Sequence, residues 1–390
     1  MSLEWAEVRV NRKGADRVAS GHPWIFSSDV VERGGASPGA VVKVIPPRGR
    51  PLGLAHYSSS SQICLRLLSR ELHPIDEGFF HSRIAAAEQY RRLVASGGDA
   101  YRVVHAEGDL LPGLIVDRYA DYLVVQTLDQ GMDRAQPSIV SALKTVFAPA
   151  GIVARNDAPV RAREELPLEA GVIFGDVPGS VSVHINGLRF YADLLHGQKT
   201  GIFLDQRENY LAAASYAGGA ALDCFCSTGG FAMHLSRHCE SVEAVDSSAD
   251  ALAAARLNAQ ANEAVNVQFK EANVFDLLAG YDAARRRFRT VVLDPPAFAK
   301  SRSAAAGAAR GYKEINLRAL RLLERGGTLV TCSCSHHVSE AAFLEIVAGA
   351  ALDAGRTLRV IERRTQSRDH PILLTVPETH YLKCLILQVL

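Results

Sequence analysis

The chain has 390 residues, 48% hydrophobic and 22% charged, with a mean hydropathy of +0.03; this composition excludes an extensively disordered or fibrous protein, and the length allows two or three domains with separate cores. Forty-three Lys and Arg against 42 Asp and Glu leave a formal charge of +1, so any nucleic-acid contact must come from local patches and not from a global field. The first residues, "MSLEWAEVRVNRKGADR", hold no apolar signal region, and no run approaches the ~18 apolar residues of a membrane span. Seven scattered cysteines do not make a secreted disulfide framework. The expectation is a cytoplasmic protein with reduced thiols and no membrane partner.

Residues 1–72 hold short β-type runs, "EVRV", "GAVVKVI", "GLAHY" and "ICLRLLS", broken by "GGASPG" and "PPRGRP", which predicts a small β-barrel-like domain. A helix is expected over about 78–96, where apolar and small residues recur at helical spacing. Through 73–183 the runs "LIVDRY", "YLVVQTL" and "GIVARND" mix with a helical "PSIVSALKTVF", a middle α+β domain. From 184 to 390, strands alternate with helices: "AALDCF", "SVEAVD", "VQFKEANV", "TVVLDPP" and "GGTLVTCS". That alternation predicts an α/β, Rossmann-like doubly wound sheet.

In such sheets ligands meet the carboxyl ends of the strands. "ALDCFCSTGGFAMHL" is a strand, a glycine-containing turn and a helix, with Asp223, Phe225, Ser227, Gly229 and Gly230 as candidate cofactor contacts. About twenty residues on, "SVEAVDSS" ends in Asp246 and Ser247, the acid placed to accept from a ribose's two hydroxyls. The glycines do not follow G-x-G-x-x-G, so a ribose without a bound pyrophosphate fits S-adenosylmethionine better than NAD. Helix capping is the structural alternative for Asp223 and Asp246. Asn273 ends a third strand, where its amide could face an adenine edge. Asp294 ends a fourth at "LDPP", where two prolines fix the lip; a solvated turn is the alternative.

Together "LDCFCSTGGF", "VDSS", "NVFDLL", "LDPPAFAKS", "GYKEINLRAL" and "LVTCSCSHH" resemble the bacterial S-adenosylmethionine-dependent methyltransferases that modify cytosine carbon 5 in large-subunit ribosomal RNA. "GHPWIFSSDV" and "GLAHYSSSSQICLRLLS" resemble that family's RNA-binding PUA domain, "AEGDLLPGLIVDRYADYLVVQ" its middle domain, and "DHPILLTVPETHYLKCLIL" its closing segment. The resemblance implies S-adenosylmethionine as cofactor and ribosomal RNA, or its precursor, as partner. It also makes "HGQKTGIFLDQREN" (196–209) a cofactor-side strand and turn with Gln198, Thr200, Phe203, Asp205 and Arg207 as contacts. Without it, the stretch reads as a β-hairpin leading into a helix. The oligomeric state stays open, a homodimer included.

Carbon 5 of cytosine is a poor nucleophile until a thiolate adds to carbon 6, and a carboxyl group near ring nitrogen 3 steadies the resulting charge. Asp294 is the candidate acid. Cys224, Cys226, Cys332 and Cys334 form two C-x-C pairs at strand ends, for which zinc and inert core thiols are the rival readings. The "VVLDPP" strand is expected between the two pairs, leaving them ~10 Å apart, which disfavours a shared metal. Related enzymes carry a Gly-x-Leu-Val-x-x-Thr-Cys-Ser signature; counted from Gly327 it lands on Cys334, while a shifted match picks Cys332. Cys334 is preferred as nucleophile. The basic run Lys300, Arg302, Arg310 and Lys313 reads either as a cationic lid over RNA or as a solvated helix face. A base-nitrogen (guanine) methyltransferase and a non-catalytic assembly factor are the rival functions.

Overall fold

The computed structural model describes residues 4–197, 199–298 and 305–390. The chain gathers into two compact units, one of Met1–Val183 with Ala192–Gly201 and Arg368–Thr379, the other of His184–Tyr191, Ile202–Ser367 and His380–Leu390.

The first unit contains two sheets. Alternating apolar residues give Ala6–Val10, Val41–Ile45, Gly53–Tyr57 and Ile63–Ser69, which with Trp24–Phe26 and Val30–Glu32 form a six-stranded barrel-like sheet around Val8, Val44, Ile25 and Leu65. Five strands from Ala100–His105 to Glu169–Gly175 form the second, covered by helices Glu77–Val94 and Gln136–Phe147. Asp76 starts the first of these helices, its side chain accepting from Phe79 N at 3.1 Å, the capping that leaves one fewer orphan amide. A buried charge cluster joins the first sheet to the connections of the second: Arg66, on the strand Ile63–Ser69, donates to Glu164 at the end of the 3-10 turn Pro159–Glu164 at 2.8 Å and lies 3.6 Å from Asp129, the cap of the helix Gln130–Arg134. Ser58 adds a hydrogen bond to Glu164 at 2.6 Å.

The second unit is a seven-stranded sheet in the order Val267–Glu271, Ser241–Asp246, Ala220–Cys224, Phe288–Leu293, Leu323–Ser333, Lys383–Val389, Leu358–Arg364. The first five strands run parallel; Lys383–Val389 is antiparallel to both of its neighbours. The central strands are buried along nearly their whole length, as a sheet covered by helices on both faces requires. Strand order reverses beside Ala220–Cys224: the chain first builds outward through Ser241–Asp246, then returns to place Phe288–Leu293 on the other flank. That reversal opens a crevice at the carboxyl ends of the Asp223 and Phe288–Leu293 strands.

The stretch 196–209 corrects one expectation. Its described residues form no strand: they turn, pass through a 3-10 turn at Leu204–Gln206 and enter the helix Arg207–Ser215. The reason is local, since Lys199 sits at φ 54° and Gly201 at φ 142°, conformations that break an extended run.

Candidate active site

Four carboxyl-edge positions of the parallel strands carry the polar groups. Asp223 lies inside its strand, fully buried, and no hydrogen bond of ordinary geometry reaches either of its carboxyl oxygens among the described residues. Burial drives its pKa well above the usual carboxylate range; the charge of Asp294 pushes it further, the Ala232 amide opposes the rise, and Asp246 adds to it. A buried acid in this state holds its proton, and a cation beside it would favour the charged form.

The turn after this strand is shaped by left-handed backbone at Phe225 (φ 63°), Ser227 (φ 48°) and Gly229 (φ 86°). Asp246 pins it, one carboxyl oxygen accepting from Ser227 N and the other from Ser248 N, each at 2.9 Å. The Ser227 hydroxyl is buried and has no partner among the described residues. Gly230 is required by packing, since a Cβ there would fall 2.3 Å from the Tyr210 ring. Ser247 is exposed. Asn273 caps the helix Val274–Ala283, its Oδ1 accepting from Phe275 N at 2.9 Å, which leaves its amide group as the donor for a ligand.

The candidates from 196–209 divide. Gln198 lies outside the described residues. Thr200 belongs to the first unit, where its buried hydroxyl donates to Asp117 and meets Tyr119 Oη at 3.0 Å. Phe203, Asp205 and Arg207 belong to the second unit. The Phe203 carbonyl accepts from Tyr210 Oη at 3.2 Å, Asp205 Oδ2 accepts from Tyr381 Oη at 2.8 Å, and the Arg207 carbonyl accepts from Asn186 at 2.8 Å. Tyr210 marks where the acids converge: its phenol is held well above its ordinary pKa by burial first, then by Asp294, Asp205 and Asp223.

Asp294 is fixed by a relay that sequence reasoning missed. Gln206 Nε2 donates to its Oδ1 at 2.9 Å, Asn209 donates to Gln206 at 2.6 Å, and Arg364 donates to Asn209 at 2.8 Å. "DQREN" already contained Gln206 and Asn209; nothing in the sequence linked Arg364 to them.

The cysteines separate by environment. The sheet places Phe288–Leu293 between the two C-x-C strands, and among the described residues no three His, Cys, Asp or Glu converge to hold a metal. Six cysteines are buried, and Cys334 alone is partly exposed. Burial pushes the thiols of Cys224 and Cys226 far up. Cys332 is raised well above its ordinary value by burial, by its cross-strand partner Cys384 and by Asp294. Cys334 lies just past the strand end, its Sγ 3.8 Å from the Pro295 carbonyl in the Asp-Pro-Pro loop. Close to it, and also missed, is Lys383, 4% exposed, with Nζ donating to the Ser335 carbonyl at 2.7 Å and the Tyr381 carbonyl at 2.9 Å. Lys300 and Arg302 lie outside the described residues; Arg310 is exposed and Lys313 pairs with Asp353 at 2.7 Å on the helix surface.

An orphaned carboxyl, an orphaned hydroxyl and a pinned acid at adjacent strand ends fit a ligand that carries both positive charge and hydroxyl groups, as S-adenosylmethionine does. Comparison with known proteins agrees with this chemistry. Residues 8–70 match the model of a PUA-like domain, and residues 102–387 that of S-adenosylmethionine-dependent methyltransferases. The ribosomal RNA large subunit methyltransferase I of Tolumonas auensis is 41% identical over 377 residues, covering 94% of this chain and 95% of its own. The protein of the same name from Escherichia coli is 38% identical over 371 residues, covering 93% and 94%. A solved S-adenosylmethionine-dependent methyltransferase from Streptococcus mutans shares the fold at a TM-score of 0.84 and 20% identity, over 98% of this chain and 100% of that one. With the strand-end site, a family model spanning most of the sequence and relatives matched along nearly their full length, this chain belongs to the S-adenosylmethionine-dependent methyltransferases and carries a PUA-like domain ahead of its catalytic sheet.

Proposed function

We propose that the protein methylates carbon 5 of a cytosine in large-subunit ribosomal RNA through a covalent adduct on Cys334. The relatives' names support the RNA and say nothing of the base. The observation that carries the base and the mechanism is the position of Cys334: of seven cysteines it alone is partly exposed, and it abuts the loop that bears Asp294.

On this reading Asp246 holds the cofactor's ribose, Asn273 its adenine edge, and Asp223 and the turn through Phe225, Ser227, Gly229 and Gly230 its charged amino-acid end, with Phe203, Asp205 and Arg207 closing the far side. S-adenosylmethionine supplies an electrophilic methyl group when bound. The Cys334 thiolate adds to carbon 6, which makes carbon 5 nucleophilic toward the methyl group; a base then takes the carbon-5 proton as the carbon 6–sulfur bond breaks and the thiolate leaves. Asp294, held by Gln206, faces the ring nitrogen where charge gathers. The cytosine must leave any stacked helix to reach this edge, and residues 1–72 are the part assigned to gripping the RNA.

The test is RNA carrying 5-fluorocytosine at the target, because fluorine cannot leave as the carbon-5 proton does. Wild type is expected to trap a covalent adduct. Cys334→Ala abolishes both adduct and methylation with cofactor binding intact, and Cys332→Ala keeps the adduct. Loss of the adduct in Cys332→Ala alone reverses the two roles. Full turnover in both variants makes nitrogen methylation the better reading.

A further inference from the structure

We propose that Lys383 is the cation that holds Cys334 in its thiolate form. The inference rests on the nucleophile reading for its purpose, but it is a statement about two side chains and is tested on the thiol itself.

Lysines are rarely buried without a counter-charge. Lys383 is 4% exposed, its two recorded hydrogen bonds go to neutral carbonyls, and among the described residues no carboxylate lies within ion-pair distance of it. Glu340 is the acid in its vicinity, and that carboxylate is engaged by Arg363 at 2.7 Å. Burial lowers the Lys383 pKa to about 8, and the charge of Cys334 is the largest influence opposing the fall, ahead of Glu340. Burial thus loosens the lysine's hold on its proton, and an anion beside it favours the charged form.

Placement supplies that anion. Lys383 is the antiparallel register partner of Ser333, one residue before Cys334, and its Nζ is anchored on Ser335, one residue after. Among the described groups near the thiol are Tyr312, whose hydroxyl meets Ser335 Oγ at 3.0 Å and whose own pKa is raised, and Asp294 on the loop whose Pro295 carbonyl lies by Sγ. The His336 ring lies tilted against that of Tyr381, 5.8 Å between centroids. Tyr312 is neutral at neutral pH, its phenol being raised by burial, whereas the Lys383 ammonium interacts favourably with a charged Cys334. When Cys334 ionises its proton leaves to water, and the charge on sulfur meets an ammonium already in place. Cys332, two residues earlier, has the reverse surroundings: a second thiol opposite it and Asp294 nearby.

The experiment is the pH dependence of iodoacetamide alkylation at Cys334 in the full-length protein, read by peptide mass spectrometry. Wild type is expected to titrate at least about one pH unit below an ordinary thiol at ~8.5. Lys383→Met should move the midpoint up by about one unit or more, a roughly tenfold loss of thiolate at neutral pH, while Lys383→Arg stays near wild type; calorimetric S-adenosylmethionine binding checks that each variant is folded. Should Lys383→Met fail to fold, wild type and Lys383→Arg still decide. A wild-type midpoint at or above the ordinary thiol value, or one unmoved in folded Lys383→Met, overturns the proposal. A midpoint that follows Lys383 while Cys334→Ala still methylates RNA upholds the ion pair and removes the nucleophile role instead.

Discussion

Asp223 is held in an ionisation state that costs the ligand-free protein stability. Its folded pKa lies well above the ordinary 3.8, with burial and Asp294 as the main causes. The sign follows from proton counting: above its unfolded pKa the unfolded chain releases a proton that the folded chain keeps, so this residue's contribution to stability is best in acid and falls as pH rises toward the folded value. A cationic ligand reverses the effect by favouring the charged form. Asp223→Asn is therefore expected to raise the denaturation midpoint of the ligand-free protein at neutral pH, flatten its decline with pH, and weaken S-adenosylmethionine binding. A lowered midpoint with unchanged cofactor affinity, measured by thermal denaturation and calorimetry, would make the residue purely structural. Gly230 is the opposite case, a residue fixed by packing alone, since the Tyr210 ring occupies the space of any side chain.

Among elements, the buried charge cluster that joins the first sheet of the first unit to the turn Pro159–Glu164 is open to a direct test. Arg66→Ala strips the charge partner from Glu164, which is 1% exposed, and breaking a buried pair in this way costs about 3–5 kcal/mol; chemical denaturation of the first unit should show a loss of that size, and a loss below about 1 kcal/mol would place water in the cluster. Legibility also divides by element. The parallel strands were readable because their apolar runs end at one edge, so Asp223, Asp246, Asp294 and Cys334 could be placed from sequence. Trp24–Phe26 and Val30–Glu32 are three residues each, too short to show a period, and Glu169–Gly175 is an edge strand with little burial and hence little alternation. Lys383 and Arg364 escaped for another reason: they sit on antiparallel strands at the far end of the chain, and only sheet pairing brings them to the site.

At the scale of the whole molecule, a net charge of +1 means that RNA affinity must come from local contacts. Binding of ribosomal RNA fragments is expected to weaken steeply with salt, the logarithmic slope growing by about 0.7–0.9 per phosphate contacted, while S-adenosylmethionine binding changes little; filter binding over a salt series checks this, and a flat RNA profile would shift recognition from phosphates to bases. The path of the chain sets a further condition. It crosses between the two units five times, and Arg368–Thr379, near its end, belongs to the first. There Arg91 donates to the Asp369 carbonyl at 2.8 Å and Asp369 accepts from Arg102 N at 3.0 Å. During synthesis the N-terminal half emerges long before these partners exist, so a nascent chain stalled ahead of residue 368 holds Arg91 and Arg102 in a half-made environment. A truncation ahead of residue 368 therefore removes part of the first unit as well as an interior strand, Lys383–Val389, of the seven-stranded sheet.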